Sequence, residues 1–384
     1  MSFGNQVQQK VYQQFEKNII PVSYEDLEKK AKEQLSAKPY YYVAASAGGE
    51  VTAKENNLAF NKWKIVPRVL CDTSSRELTI ELYGKKLNYP ILLAPVGVQS
   101  IVHPDGELAA ARAAASMEIP LIASTASTYS LEKISAEMGD SPRWYQLYWS
   151  NDREIAASMV NRAENAGYDA IVITVDTPMM SWREKDIEHA YLPFLEAKGI
   201  GNYLEDPVFL SRLEVSPQED MQSAVMLWSK VFGNPALTWV DLEFIKQQTK
   251  LPILLKGILH PEDARLAVEH GADGIIVSNH GGRQVDGAIA AIDALPGVVD
   301  EVQGKIPVLM DSGIRRGSDI IKALCLGAKA VLVGRPYMYG LALAGEDGVK
   351  QVLRNLLADF DLTLALSGKK SVSELNRDLL KRLD

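Results

Sequence analysis

Eight short apolar runs recur along the chain, separated by longer amphipathic stretches. In order they are PILLAP (Pro90–Pro95), PLIAST (Pro120–Thr125), RWYQLYW (Arg143–Trp149), AIVITVD (Ala170–Asp176), PILLKG (Pro252–Gly257), GIIVSN (Gly274–Asn279), PVLMDSG (Pro307–Gly313) and AVLVGR (Ala330–Arg335). Most are apolar nearly throughout rather than alternating, as expected of parallel strands covered on both faces. Between them lie helical patterns such as DGELAAARAAASME, DREIAASMVNRAENAG, HPEDARLAVEHGA and RGSDIIKALCLGA, several closing on a glycine. Eight strand–helix units in one run predict an α/β fold, a (β/α)8 TIM barrel. A doubly wound sheet is the alternative.

Two segments fall outside that rhythm, and the chain reads as a single domain, 1–384, that carries them. Residues 1–80 precede the first strand as a helical N-terminal extension. Residues 177–251 separate the fourth strand from the fifth, far longer than an ordinary connection. In a barrel this insertion lies over the C-terminal mouth, where active sites form. Its aromatic, loop-like YLPFLEAKGIGNYLEDPVF suggests a lid; a fixed packing excursion is the other reading.

Composition narrows the function classes. The 384 residues, 47% hydrophobic, allow a large core. A net charge of -8, without any Lys/Arg block, offers no face for nucleic acid. The two cysteines, Cys71 and Cys325, form no CxxC pair, so a reducing, cytoplasmic setting is expected. The polar N-terminus lacks the apolar core of a signal peptide, and no apolar run approaches membrane-spanning length. The five histidines are scattered without HxxH or HExxH spacing, so no metal site is expected.

The strand ends carry the candidate chemistry. They are Ser124, Gln146 with Tyr148, Thr174 with Asp176, Lys256, Ser278 with His280 and Arg283, Asp311, and Arg335. A barrel directs such residues to one shared site, and eight polar endings in register exceed what packing requires. DSGIRRG (Asp311–Gly317) and VGRP (Val333–Pro336) place glycines and arginines after the last two strands, where barrels often bind phosphate. In SNHGGR, His280 and Arg283 suit a carboxylate substrate whose neighbouring group loses a proton. Arg283 would hold the carboxylate and His280 would move the proton. Gly281 and Gly282 are read as clearance for a ligand, and Asp176 as a stabiliser of the imidazolium.

Taken together, SNHGGRQ, LLKG, QLYW, ITVDTP, DSGIRRG and VGRP resemble the FMN-dependent α-hydroxy acid oxidases and dehydrogenases, the glycolate and lactate oxidase family. The resemblance runs from about Tyr24 to Leu375. Within the family, HAYLPFL, GIGNYLEDPVF and FGNPALTW are most similar to lactate 2-monooxygenase. The resemblance implies FMN as cofactor and His280 as the base that takes the α-hydroxyl proton while the C2 hydrogen passes to the flavin. It implies that Arg183, Arg283 and Tyr42 hold the carboxylate, that Tyr148 bonds the substrate oxygen and that Asp176 pairs with His280. Lys256 would sit beside the flavin ring. Ser124, Gln146, Thr174 and the backbone of Pro95, Val96 and Gly97 would line that ring. Ser278, Asp311, Gly313, Arg315, Gly334 and Arg335 would take the ribityl chain and phosphate. A homo-oligomer, tetrameric or larger, is implied by the resemblance alone.

Two departures bear on the reaction. Ala126 stands where many members carry a large aromatic, unless a residue such as Tyr203 fills the space. Gly97 follows AP-x, where oxidases usually have Ala. The resemblance therefore implies oxidation of a small L-2-hydroxy acid, L-lactate in the first instance, with dioxygen. Lactate 2-monooxygenase chemistry leads, giving acetate, carbon dioxide and water; release of pyruvate and hydrogen peroxide is the alternative. An FMN-barrel isomerase or a non-catalytic phosphate-binding barrel would leave His280 and the strand-end array unexplained. The acids within the insertion argue against a membrane-linked dehydrogenase.

Overall fold

The computed structural model describes residues 2–383. Its centre is a closed barrel of eight parallel strands. They are β1 (Ile91–Leu93), β2 (Leu121–Ser124), β3 (Arg143–Leu147), β4 (Ile171–Thr174), β5 (Ile253–Ile258), β6 (Gly274–Val277), β7 (Val308–Met310) and β8 (Val331–Val333). Each falls within or against one of the eight apolar runs, and β8 closes onto β1 with Val331 opposite Ile91. The barrel reading holds; the doubly wound alternative does not.

Side-chain alternation splits these strands between two cores. Leu92, Ile122, Trp144, Val172, Leu254, Ile276, Leu309 and Leu332 point inward and fill the barrel. Their neighbours, Ile91, Leu93, Ile171, Ile173, Ile275 and Val277 among them, pack outward against the helices. Both faces are dry, which is why the runs read as continuously apolar. The N-terminal end of the barrel is plugged by a hairpin, Ile80–Leu82 with Lys85–Leu87, whose Ile80, Leu82 and Leu87 join the inner core. Tyr83 and Gly84 both take positive φ at its turn, as a two-residue hairpin loop requires.

The N-terminal extension is largely helical, over Phe3–Gln13, Tyr24–Gln34, Ala37–Ala44 and Val51–Leu58. The first two pack on a long C-terminal helix, Arg335–Leu366, which kinks at Ala344 and Gly345. The fourth packs on the turn His280–Gly282.

The insertion divides. Residues 192–211 are built into the body: Gly201 N donates to Ser127 O at 3.0 Å. Asn202 Nδ2 donates to the carbonyls of Ser124 (3.0 Å) and Thr125 (2.9 Å). Asp206, fully buried, pairs with Arg162. Residues 177–187 are looser, with Met179, Met180, Trp182 and Ile187 exposed. A fixed excursion thus describes residues 192–211. At Gly201 an added Cβ would lie 2.1 Å from Thr128 O. Gly201→Ala is therefore expected to cost about 1–3 kcal/mol of stability by overpacking, read as a lower urea midpoint at unchanged slope.

Candidate active site

The inward register continues past the apolar layer. Two residues beyond each interior side chain stand Ala94, Ser124, Gln146, Thr174, Lys256, Ser278, Asp311 and Gly334. The same alternation that buries Leu254 therefore turns Lys256 toward the barrel mouth. Above this layer opens a cavity whose empty space is about 1170 Å³ with the open solvent at its mouth included.

His280 follows β6 and adopts φ +59°, a left-handed conformation uncommon outside glycine. Its Nδ1 lies 2.9 Å from Asp176 Oδ1, and its Nε2 lies 3.2 Å from Tyr148 Oη. Thr177 Oγ1 donates to Asp176 Oδ1 at 2.9 Å and holds the carboxylate in place. Burial favours the neutral carboxyl of Asp176, but His280 and Lys256 outweigh it and hold its pKa below the usual value. Burial lowers the pKa of His280, opposed in part by Asp176. The resting pair is a neutral imidazole beside a carboxylate. The carboxylate accepts from Nδ1–H, so Nε2 keeps its lone pair for a proton. Burial raises the pKa of Tyr148, leaving its hydroxyl a donor.

Two guanidinium groups converge beside this base. Arg283 Nη1 donates to the carbonyls of Tyr42 and Ala45, both at 2.8 Å. Arg183 Nε donates to Ser181 Oγ and Arg283 O, at 3.2 and 3.3 Å. Burial, then the charge of Arg183, push Arg283 down to about 10. Such a site favours an anion, and a carboxylate satisfies both cations. A bound 2-hydroxy acid could thus place its carboxylate on Arg183 and Arg283 and its hydroxyl toward Nε2 of His280.

The sequence matches a family model described as FMN-dependent dehydrogenase over residues 31–382. The chain belongs to this family. An L-lactate oxidase from Lysinibacillus sphaericus is 48% identical, over 95% of this chain and 94% of the relative. A glycolate oxidase from Spinacia oleracea is 42% identical, over 90% and 92%. A solved structure of mandelate oxidase with (S)-4-hydroxymandelic acid superposes with a TM-score of 0.83 at 40% identity, covering 94% of this chain and 98% of that one. The protein is an FMN-dependent 2-hydroxy acid oxidoreductase.

The residues at the mouth fit FMN. Gln146 Nε2, Thr174 Oγ1 and Arg315 Nε are buried without a partner within the described residues. Buried polar atoms left unmatched are costly, so these mark where a polar group belongs. A flavin ring offers carbonyls and ring nitrogens to Gln146 and Thr174, and a phosphate suits Arg315. Lys256 would supply a fixed cation to the ring; its Nζ donates to Ser278 Oγ at 3.0 Å and lies 3.3 Å from Asp311 Oδ2. When bound, FMN supplies a two-electron acceptor for the hydrogen on the substrate carbon.

Of the residues expected from the sequence, Tyr42, Pro95, Val96, Gly97, Tyr148, Arg183, Lys256, His280, Arg283, Asp311, Gly313, Arg315, Gly334 and Arg335 line the cavity. Ser124, Gln146, Thr174, Asp176 and Ser278 stand behind that lining. Ser278 braces Lys256 and accepts from His280 N at 3.0 Å. Arg335 is engaged by the protein itself. It donates to the carbonyls of Val43 (3.1 Å), Gly281 (2.9 Å) and Ala45 (3.2 Å) and to Ser46 Oγ (2.7 Å). With Arg283 it caps the C-terminal carbonyls of helix Ala37–Ala44, docking Tyr42 at the site.

The structure adds detail at four small or loop positions singled out in the sequence. At Gly282 an added Cβ would meet Ala53 N at 2.6 Å, so that space is taken by the protein, whereas Gly281 lines the cavity with Arg335 Nη1 2.8 Å from its Cβ position. At Gly97 it would meet Ala126 O at 2.7 Å, so the missing methyl points into the neighbouring loop. Tyr203 does not fill the space at Ala126; it is buried against Phe209 at 5.3 Å.

Sequence reasoning missed a polar bracket under the Ala94–Gly97 segment. Glu107 Oε1 accepts from Gln99 N and Thr128 N, both at 3.0 Å. Gln99 Nε2 donates to Val96 O at 3.0 Å, and Tyr337 Oη donates to Ala94 O at 3.0 Å. Glu107 looked like an ordinary acid in the first turn of a helix. The signal was its place in an otherwise alanine-rich, buried stretch.

Proposed function

We propose that this protein oxidises L-lactate with dioxygen and retains the keto acid, releasing acetate, carbon dioxide and water. The observation that carries the oxidation is a neutral His280, oriented by Asp176 and Tyr148, beside the Arg183–Arg283 pair. In that arrangement His280 takes the hydroxyl proton and Asp176 stabilises the imidazolium. Tyr148 orients the substrate oxygen, and the arginines fix the carboxylate. Lactate as substrate is supported by the L-lactate oxidase relative and by apolar residues such as Phe194 and Phe232 in the cavity lining. Retention is supported by the resemblance around Gly97 and the insertion; it requires pyruvate to leave more slowly than oxygen reacts.

The second reading, release of pyruvate with hydrogen peroxide, is favoured by the name of that same relative. Product analysis decides between them. FMN-loaded protein turning over L-lactate in air should give acetate and carbon dioxide in equal amounts, with no peroxide. Pyruvate and peroxide in equal amounts would establish the oxidase instead. No bleaching of bound flavin by anaerobic L-lactate would reject both.

A further inference from the structure

We infer that Phe194 sets the size of the C2 substituent, holding the site to short aliphatic 2-hydroxy acids. This rests on the 2-hydroxy acid reading above. Once the hydroxyl meets His280 and the carboxylate meets the arginines, the third substituent must face the apolar part of the cavity. Among the apolar residues lining the cavity are Ala126, Met180, Phe194 and Phe232.

Ala126 contributes little bulk, and Phe194 takes up the space beside it. A Cβ placed on Gly199 would stand 2.7 Å from Phe194 Cε1 and 3.0 Å from Ala126 O. Phe194 and Ala126 thus border the same small space at Gly199, which Val98 Cγ2 also closes at 2.6 Å. Nor is the ring free to leave. It stacks on Trp228 at 4.5 Å and 23°, meets Phe232 at 5.9 Å, and is 5% exposed. Trp228 is itself buried, and Phe232 packs edge-on against Tyr148 at 5.4 Å. The wall is thus an aromatic stack of Phe194, Trp228 and Phe232 that runs to Tyr148, the residue that touches the base. Across the mouth Met180 is exposed and flexible, so the limit on size comes from the aromatic side.

The test uses FMN-loaded wild type, Phe194→Leu and Phe194→Ala, with L-lactate, L-2-hydroxyhexanoate and L-mandelate. Anaerobic bleaching gives the rate for each acid. Calorimetry gives the affinities of the unreactive keto acids pyruvate and phenylglyoxylate. Wild type should strongly prefer lactate and pyruvate. Phe194→Ala should raise the mandelate-to-lactate rate ratio and the phenylglyoxylate-to-pyruvate affinity ratio by at least about tenfold, the scale on which apolar pockets discriminate size. Phe194→Leu, the gentler change, should shift the hexanoate ratio in the same direction and carries the test if the Ala variant fails to hold flavin. Unchanged ratios in a flavin-bound variant would overturn the inference while leaving lactate oxidation standing. A wild type that no 2-hydroxy acid bleaches would instead remove the underlying reading.

Discussion

Replacing His280 by Gln is expected to leave flavin bound and to slow anaerobic reduction by L-lactate about 10²–10⁴-fold, the range a positioned general base contributes. Gln can still donate to Asp176, so the Asp176–Thr177 pair keeps its place, but it cannot accept and hold a proton. The pH profile separates this from a packing defect. Burial holds the pKa of His280 below 6.5 despite the neighbouring carboxylate. The reactive form is the neutral one, so kcat/KM should rise with pH, inflect below 6.5 and then level off. In the variant that acid limb should vanish. Unchanged reduction, or an intact acid limb, would show that His280 is not the proton acceptor. Flavin absorbance after gel filtration checks that the cofactor is still held.

Much of this site was legible because strand alternation is a local rule. Apolar runs located the strands, and a barrel directs the residues at their C-terminal ends to one mouth. Ser124, Gln146, Thr174, Lys256, Ser278 and Asp311 were read as polar strand endings, and the structure shows that each stands two beyond an interior side chain. What resisted reading was set by packing between distant segments. Phe194 sits in a loop-like stretch, and its ring is held at the cavity by Trp228 and Phe232 from later in the insertion. Gly282 suggested ligand clearance, yet its constraint comes from Ala53, far away in sequence, while Gly281 does line the cavity. Arg335 suggested a phosphate ligand, but most of its bonds hold the chain around Val43–Ser46. Short polar motifs announce that a site exists; they do not say which donors the fold has already used.

Lys256 and Asp311 show how such internal use of charge can be tested. Both are buried, at 3% and 7% exposure, with 3.3 Å between Nζ and Oδ2. Asp311 Oδ1 also accepts from Ser312 Oγ at 2.7 Å, but that hydroxyl carries no compensating charge. Lys256→Met keeps the volume of the side chain and removes the cation, stranding a carboxylate above the barrel core. Loss of one partner from a buried pair costs about 3–5 kcal/mol, so a marked drop in the urea midpoint of the flavin-free protein is expected. Adding Asp311→Asn removes the stranded charge and should recover most of that loss. Flavin reduction by lactate should not recover, because the double variant still lacks the cation beside the ring. Stability and reduction thus part company only if Lys256 serves both Asp311 and the cofactor. A double variant no more stable than Lys256→Met would show that Asp311 is not the charge Lys256 balances. Recovered reduction would show that the site does not need its cation.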